Sequence, residues 1–282
     1  MKPEFRFTDV DLITDRNSLR KLFNLAAHKG SESFRIDLSI VHNTLFLIRH
    51  ERSNREFLHG SRESGVGHNF VHAISKPEPG LEESTSHHRV IQYKMGDSNC
   101  VVRFEVDASY QEVETERNTS EDHDLTSSFG RLNIDGNQSE MSHDQKHTTS
   151  VVQRGRLVPY STTAKITTRS GGAKLTSSLP QLWFGWTPSL VRGYHKDGNF
   201  TKIETIDVAA KFHDWEKKNQ YALQKMVQLI KETQQVAAKE EGGCCIAVYN
   251  SRDQPARLIL LSSLRKYQPV PNDIIKRYWK SG

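Results

Sequence analysis

Residues Cys100 to Asp107 read CVVRFEVD, an apolar, β-branched run that ends in two carboxylates separated by one valine. Such a composition fits a pleated, largely buried strand. Residues i and i+2 of a strand face the same side, so Glu105 and Asp107 would leave an otherwise apolar ladder at one point. Burying carboxylates unpaired is costly. A shared metal ion, a basic partner or a strand end in water would each answer that cost.

Working outward, Arg89 to Asp107 reads as two strands separated by the turn signal Gly96-Asp97-Ser98. Phe34 to Arg49 alternates apolar and polar residues around His42-Asn43, which predicts two strands joined by a tight turn. Ahead of it, Leu19, Leu22 and Phe23 are spaced for a helix over Ser18 to Ala26, with Asp15 available as its N-cap. Ser64 to Ala73 can open a helix, and the prolines of Lys76 to Glu83 mark a loop. From Ala108 to about Gln153 few aliphatic residues remain among Ser, Thr, Asn, Gln, His and acids. Such a segment buries too little apolar surface to offset its ordering entropy, so a disordered insertion is expected at about 108–153.

Beyond it, Leu157 to Thr168 predicts a strand, and the aromatic-rich Leu179 to Val191 predicts a short buried helix or turn feeding another. Gly193 to Val208 reads as a hairpin built on Lys196 to Asn199. Phe212 to Ala238 carries Trp215, Leu223, Met226, Val227 and Ile230 on one helical face, and Gly242-Gly243 stops it. Cys244 to Tyr249 and Arg257 to Ser262 read as buried strands, and Asn272 to Lys280 as a closing helix. The expected fold class is α+β: a single domain over residues 1–282, with all strands in one mixed central β-sheet flanked by helices.

The bulk numbers narrow the function classes only modestly. A formal charge of +5 and thirteen histidines over 282 residues allow a weak preference for polyanions. Three cysteines without a CxxC spacing point to reduced thiols and an intracellular protein. The charged N-terminus lacks the apolar core of a signal peptide, and no run is long enough to span a bilayer. Walker-type and dinucleotide-binding glycine loops, HExxH and GxSxG are all missing. The histidines, His68, His72, His87 and His88 among them, read as surface or structural, and Trp183, Trp186 and Trp215 as core.

Several segments, taken in order, resemble the DXO-like family of decapping exonucleases, which remove aberrant caps from RNA 5′ ends and trim the RNA. DLITDRNSLRKLF places Arg16 at the family's arginine ahead of a short helix. GHNFV resembles a glycine-led motif that should end in glutamate, and ends here in Val71. GDSNCVVRFEVD resembles the strand bearing a Glu-x-Asp pair, matched by Glu105 and Asp107. AKITTRS aligns through Thr168 with a Glu-apolar-Lys strand, which puts Lys165 in the glutamate's place and Thr167 in the lysine's. LPQLWFGWTPSLVRGYHKDG resembles the glutamine segment and following strand, with Gln181 at the matching position.

The resemblance implies a DXO-like fold in the nucleus or cytoplasm, with Mg2+ or Mn2+ as cofactor in an active member. It makes Glu105, Asp107 and Gln181 the catalytic remnant, Glu105 and Asp107 the metal ligands, and Arg16 the RNA phosphate contact. The departures imply a weakened or lost metal site, because Val71 offers no ligand and Lys165 brings positive charge toward the ion. An ion pair between Lys165 and Glu105 or Asp107 would then fill that site. The expected function is an RNA 5′-end binder without hydrolysis and without a tightly held ion. The alternatives are an active metal-dependent decapping or 5′-3′ exonuclease and a protein-binding scaffold that does not touch RNA. The expected partners are an RNA 5′ end or another protein, with neither a membrane nor DNA specificity.

Overall fold

The computed structural model describes residues 5–51, 65–110, 155, 158–171, 175–263 and 268–279. In chain order, β1 (Leu12–Asp15) runs directly into α1 (Arg16–Ala26), and β2 (Phe34–Val41) and β3 (Thr44–His50) form a hairpin. Next come α2 (Val66–Ile74), the hairpin β4 (His87–Met95) and β5 (Ser98–Val106), and the short β6 (Ala108–Ser109). β7 (Thr163–Arg169), α3 (Leu179–Phe184) and the hairpin β8 (Ser189–Lys196) and β9 (Asn199–Asp207) follow. The chain closes with α4 (Phe212–Lys239), β10 (Cys244–Tyr249), β11 (Leu258–Ser262) and α5 (Asn272–Tyr278).

The class is α+β with a large mixed sheet flanked by helices, but the strands divide between two sheets rather than joining one. The seven-stranded sheet has the order β11-β10-β2-β3-β1-β5-β4, and the four-stranded sheet the order β6-β7-β8-β9. In the larger, β1 lies parallel to both β3 and β5 while the hairpins pair antiparallel. The step from one sheet to the other falls on a single residue. β5 ends at Val106 and β6 begins at Ala108, so Asp107 is the link. The polar segment expected from Ala108 therefore starts later: Ala108 and Ser109 pair with Ala164 and Thr163. Residues 111–154, where the disorder was expected, lie outside the described residues.

Local sequence explains the helices that cover the large sheet. The Asp15 carboxylate accepts from the backbone N–H of Asn17 and Ser18 at 2.9 and 3.0 Å, satisfying donors at the start of α1. Leu19, Leu22 and Phe23 then face inward. α4 buries Trp215, Leu223, Met226 and Ile230 and ends before Gly242 and Gly243, both at positive φ. These side chains join Leu12, Ile36, Val102, Leu182, Phe184 and Leu190 in one core. The small sheet contributes to it from one face through Leu190. On the opposite face Ala164, Ile166 and Val191 hold Phe70 of α2. Glycine is required where that helix docks, since a Cβ at Gly193 would lie 2.5 Å from the Phe70 ring.

One burial and two boundaries differ from expectation for simple reasons. β11 is an edge strand with Leu261 49% exposed, so its side chains are not buried as the apolar run suggested. β7 starts only at Thr163, because Tyr160–Thr162 form a 3-10 turn. α5 ends at Tyr278, and Trp279 then donates its ring N–H to Thr44. Among the described residues no helix is long and apolar enough to cross a membrane. The three cysteines are free thiols and buried. Burial pushes Cys100 up to about 12 and Cys245 up to about 11, which keeps both as inert thiols.

Candidate functional site

The two acids that end CVVRFEVD meet different fates. Glu105 is exposed beside His88 of β4 and makes no hydrogen bond or ion pair among the described residues. Asp107 is drawn inward. Lys165 of β7 places its Nζ 2.9 Å from Asp107 Oδ1 and 2.8 Å from Oδ2, and the backbone N–H of Ile166 donates to Oδ2 at 2.7 Å. The side chains are only 13% and 25% exposed, so the pair is much less screened than a surface contact. A carboxylate at a step between sheets would otherwise face a strand of the second sheet unpaired. Here it ties β5 to β7.

Arg16 lies on the same side of this junction. It follows the β1 strand that pairs with β5, is 9% exposed, and sets its guanidinium 5.1 Å from the centroid of the Phe104 ring. Burial pulls its pKa down, and among the charges opposing that shift Asp107 acts more strongly than Glu105 or Asp15. The side chain also runs against Gly185, where an added Cβ would come within 3.1 Å of Arg16 Nη1. Gln181 sits half-buried in α3 just upstream and makes no hydrogen bond among the described residues. Trp183 and Trp215 are core residues, with ring centroids 5.2 Å apart. Trp186 is not: it ends α3 at φ 47 and is 45% exposed. The left-handed turn that closes the helix lifts its ring out of the core.

Along β7, Lys165, Thr167 and Arg169 alternate onto one face, opposite Leu190, Arg192 and Tyr194 of β8. Thr167 Oγ1 and Arg169 Nε are buried without a hydrogen-bond partner among the described residues. Arg192 is 4% exposed, and the Tyr194 hydroxyl donates to Glu204 at 2.8 Å, holding that carboxyl below its ordinary pKa. Arg169 and Arg192 were not among the sequence-derived candidates. The available signals were Lys165 and Arg169 at the same strand parity, and Arg192 beside the apolar Leu190-Val191. Val71 packs against the Phe70 cluster with Ile166, on the face of β7 opposite Lys165.

The structure thus brings Arg16, Asp107 and Lys165 together, leaves Glu105 on the solvent side, and sends Val71 to another face. These residues do not suit a divalent ion. Magnesium or manganese needs converging hard oxygen ligands, yet both Asp107 oxygens are already engaged by an ammonium group, and one by a backbone N–H as well. Among the described residues no three His, Cys, Asp or Glu side chains gather closely enough to hold a metal.

Three solved structures share this arrangement of sheets and helices. They are S. pombe Rai1 in complex with 3′-FADP (11% identity, 91% of this chain and 72% of that one, TM-score 0.59), Candida albicans Rai1 in complex with pU5-Mn2+ (10%, 90% and 69%, 0.54) and K. lactis Dxo1 in complex with manganese (7%, 95% and 69%, 0.55). The protein therefore has the Rai1/Dxo1 fold, as the resemblance to DXO-like enzymes implied. Within that fold class, the chain belongs to the family described as a domain of unknown function, DUF8563, whose model matches residues 1–279. No curated protein matches the sequence.

Proposed function

We propose that this protein binds RNA 5′ ends through their phosphates and does not hydrolyse them. The observation that carries the proposal is the ammonium of Lys165 on both oxygens of Asp107. A divalent ion that polarised a scissile phosphate and activated water there would have to expel Lys165 against like-charge repulsion. Val71 supplies no carboxylate to compensate, and Thr167 no ammonium. What remains suits an anion: Arg16 is a buried guanidinium, and Thr167 Oγ1 and Arg169 Nε are donors with no hydrogen-bond partner among the described residues. RNA as the anion is supported by the fold, since C. albicans Rai1 was crystallised with pU5-Mn2+. The setting would be the nucleus or cytoplasm.

Filter binding of 5′-phosphorylated single-stranded RNA tests the reading. Binding should persist in EDTA and fall steeply as salt rises, the signature of phosphate contacts. No magnesium- or manganese-dependent release of caps or nucleotides is expected. Robust turnover abolished by Glu105→Ala and Asp107→Ala would overturn the proposal in favour of an active decapping or 5′-3′ exonuclease. Absence of RNA binding at low salt would favour a protein scaffold. As a direct check, Lys165→Glu, which replaces the ammonium on Asp107 by a second carboxylate, should raise manganese affinity measurably by calorimetry.

A further inference from the structure

The strongest unused chemistry lies on the outward face of α2. This helix carries no Asp, Glu, Lys or Arg between Val66 and Ile74 and is pinned by Phe70, which is 2% exposed and stacked on Phe200 at 4.2 Å. His68 and His72 stand one turn apart and about 200° around the helix from Phe70, so they face outward. Both are exposed, their Nε2 atoms are 3.0 Å apart, and their rings stand at 80° to one another.

We propose that His68 and His72 form a two-nitrogen chelate for a divalent transition-metal ion of the zinc class. With Zn–N bonds of about 2.0–2.1 Å, an ion bound equally to two nitrogens at this separation subtends roughly 95°, within the range of tetrahedral to octahedral ligation. Imidazole is a ligand of intermediate softness that suits zinc, copper and nickel better than magnesium or calcium. Two further features help. His72 is in the last turn of α2, where the partial negative charge of the helix end favours a cation. The helix carries no carboxylate to compete and no cation to repel the ion. Without a metal the two Nε2 atoms make an N–H···N contact; on binding, the donor ring carries its proton on Nδ1 instead, so that both neutral rings present an Nε2 lone pair and no net proton is released. The remaining coordination positions are open to water or an external donor. None of this rests on the RNA reading, and it concerns a different class of ion from the hard cation of the fold's relatives.

The test is calorimetric titration of the full chain with ZnCl2 in a non-coordinating buffer, with far-UV circular dichroism to confirm that each variant is folded. One equivalent of Zn2+ should bind, and either His68→Gln or His72→Gln should weaken that event at least ~10-fold, as loss of a metal-site contact does. His87→Gln/His88→Gln should leave it unchanged, because adjacent residues of β4 point to opposite faces and cannot chelate together. In the unsubstituted protein, Zn2+ should shift the ring Nε2 resonances of His68 and His72 together in nitrogen-15 spectra. Equal Zn2+ affinity in the His68→Gln/His72→Gln protein, or ring signals that do not move at saturation, would overturn the proposal.

Discussion

The β5 and α1 half of the site and the β7 and α2 half relate differently to the DXO-like pattern. The first matches it at Arg16, Glu105 and Asp107, while the second departs from it at Val71, Lys165 and Thr167. The structure gives two of the three matching residues work that needs no metal. Asp107 is the one-residue step between sheets and anchors β7 through Lys165 and the Ile166 N–H. Arg16 fills the space between Phe104 and Gly185. A match to a catalytic pattern can therefore be an architectural fact, and the chemistry must be read from the partners a residue actually has.

The largest expected effect breaks that comparison at its centre. Asp107→Ala removes the acceptor of both Lys165 and Ile166 and leaves a three-quarters-buried ammonium without its counter-charge. The expected loss is about 2–3 kcal/mol of stability, less than for a fully buried pair because Lys165 retains some water. Lys165→Met should cost much less, since an apolar stem of similar length replaces the ammonium and Asp107 keeps its backbone donor. Urea denaturation of both proteins checks this, and equal losses would show that the pair does not tie the sheets.

Next in size is Arg16→Ala, expected to lower stability by about 1–2 kcal/mol through lost packing and cation–π contact. The same substitution should weaken binding of 5′-phosphorylated RNA about tenfold or more, in the range of a lost charge-assisted hydrogen bond. Arg16→Lys should restore neither fully, because a point charge cannot reproduce a planar, stacked guanidinium. Unaltered RNA affinity at low salt would confine Arg16 to a packing role.

Much of this was legible in the sequence where a local rule and the packing agreed. The Asp15 cap, the turn at Gly96-Asp97-Ser98 and the apolar face of α4 all stand as their residues predict. The pairing of Lys165 with one of the two acids was also foreseeable, because a buried carboxylate needs a partner and the aligned strand offers a lysine. What stayed hidden depends on contacts far apart in sequence. Nothing local says that β5 hands over to a second sheet at Asp107, since the apolar run stops there and Ala108 opens a polar segment. Trp186 looks like its neighbour Trp183 until the left-handed turn after α3 lifts it outward. The closeness of His68 and His72 depends on α2 docking through Phe70, which leaves both on its free face.

The smallest expected effect concerns Glu105, the matching residue with no structural task. Glu105→Ala should change stability by less than about 0.5 kcal/mol, as exposed substitutions usually do. Its influence should appear instead at His88, directly across the ladder. Burial and Arg103 hold the His88 pKa below its ordinary value of 6.5, while Glu105 opposes them. In the window between that lowered value and 6.5 the unfolded chain binds more protons than the folded one, so His88 makes stability rise with pH there. Removing Glu105 deletes the opposing charge, which lowers the folded pKa further and extends the window toward acid. Histidine proton titration by NMR reads this shift directly. A His88 pKa that rises or stays fixed in Glu105→Ala, or that moves on adding Mn2+ to the unsubstituted protein, would mean that Glu105 is engaged elsewhere and that the metal half of the site is intact after all.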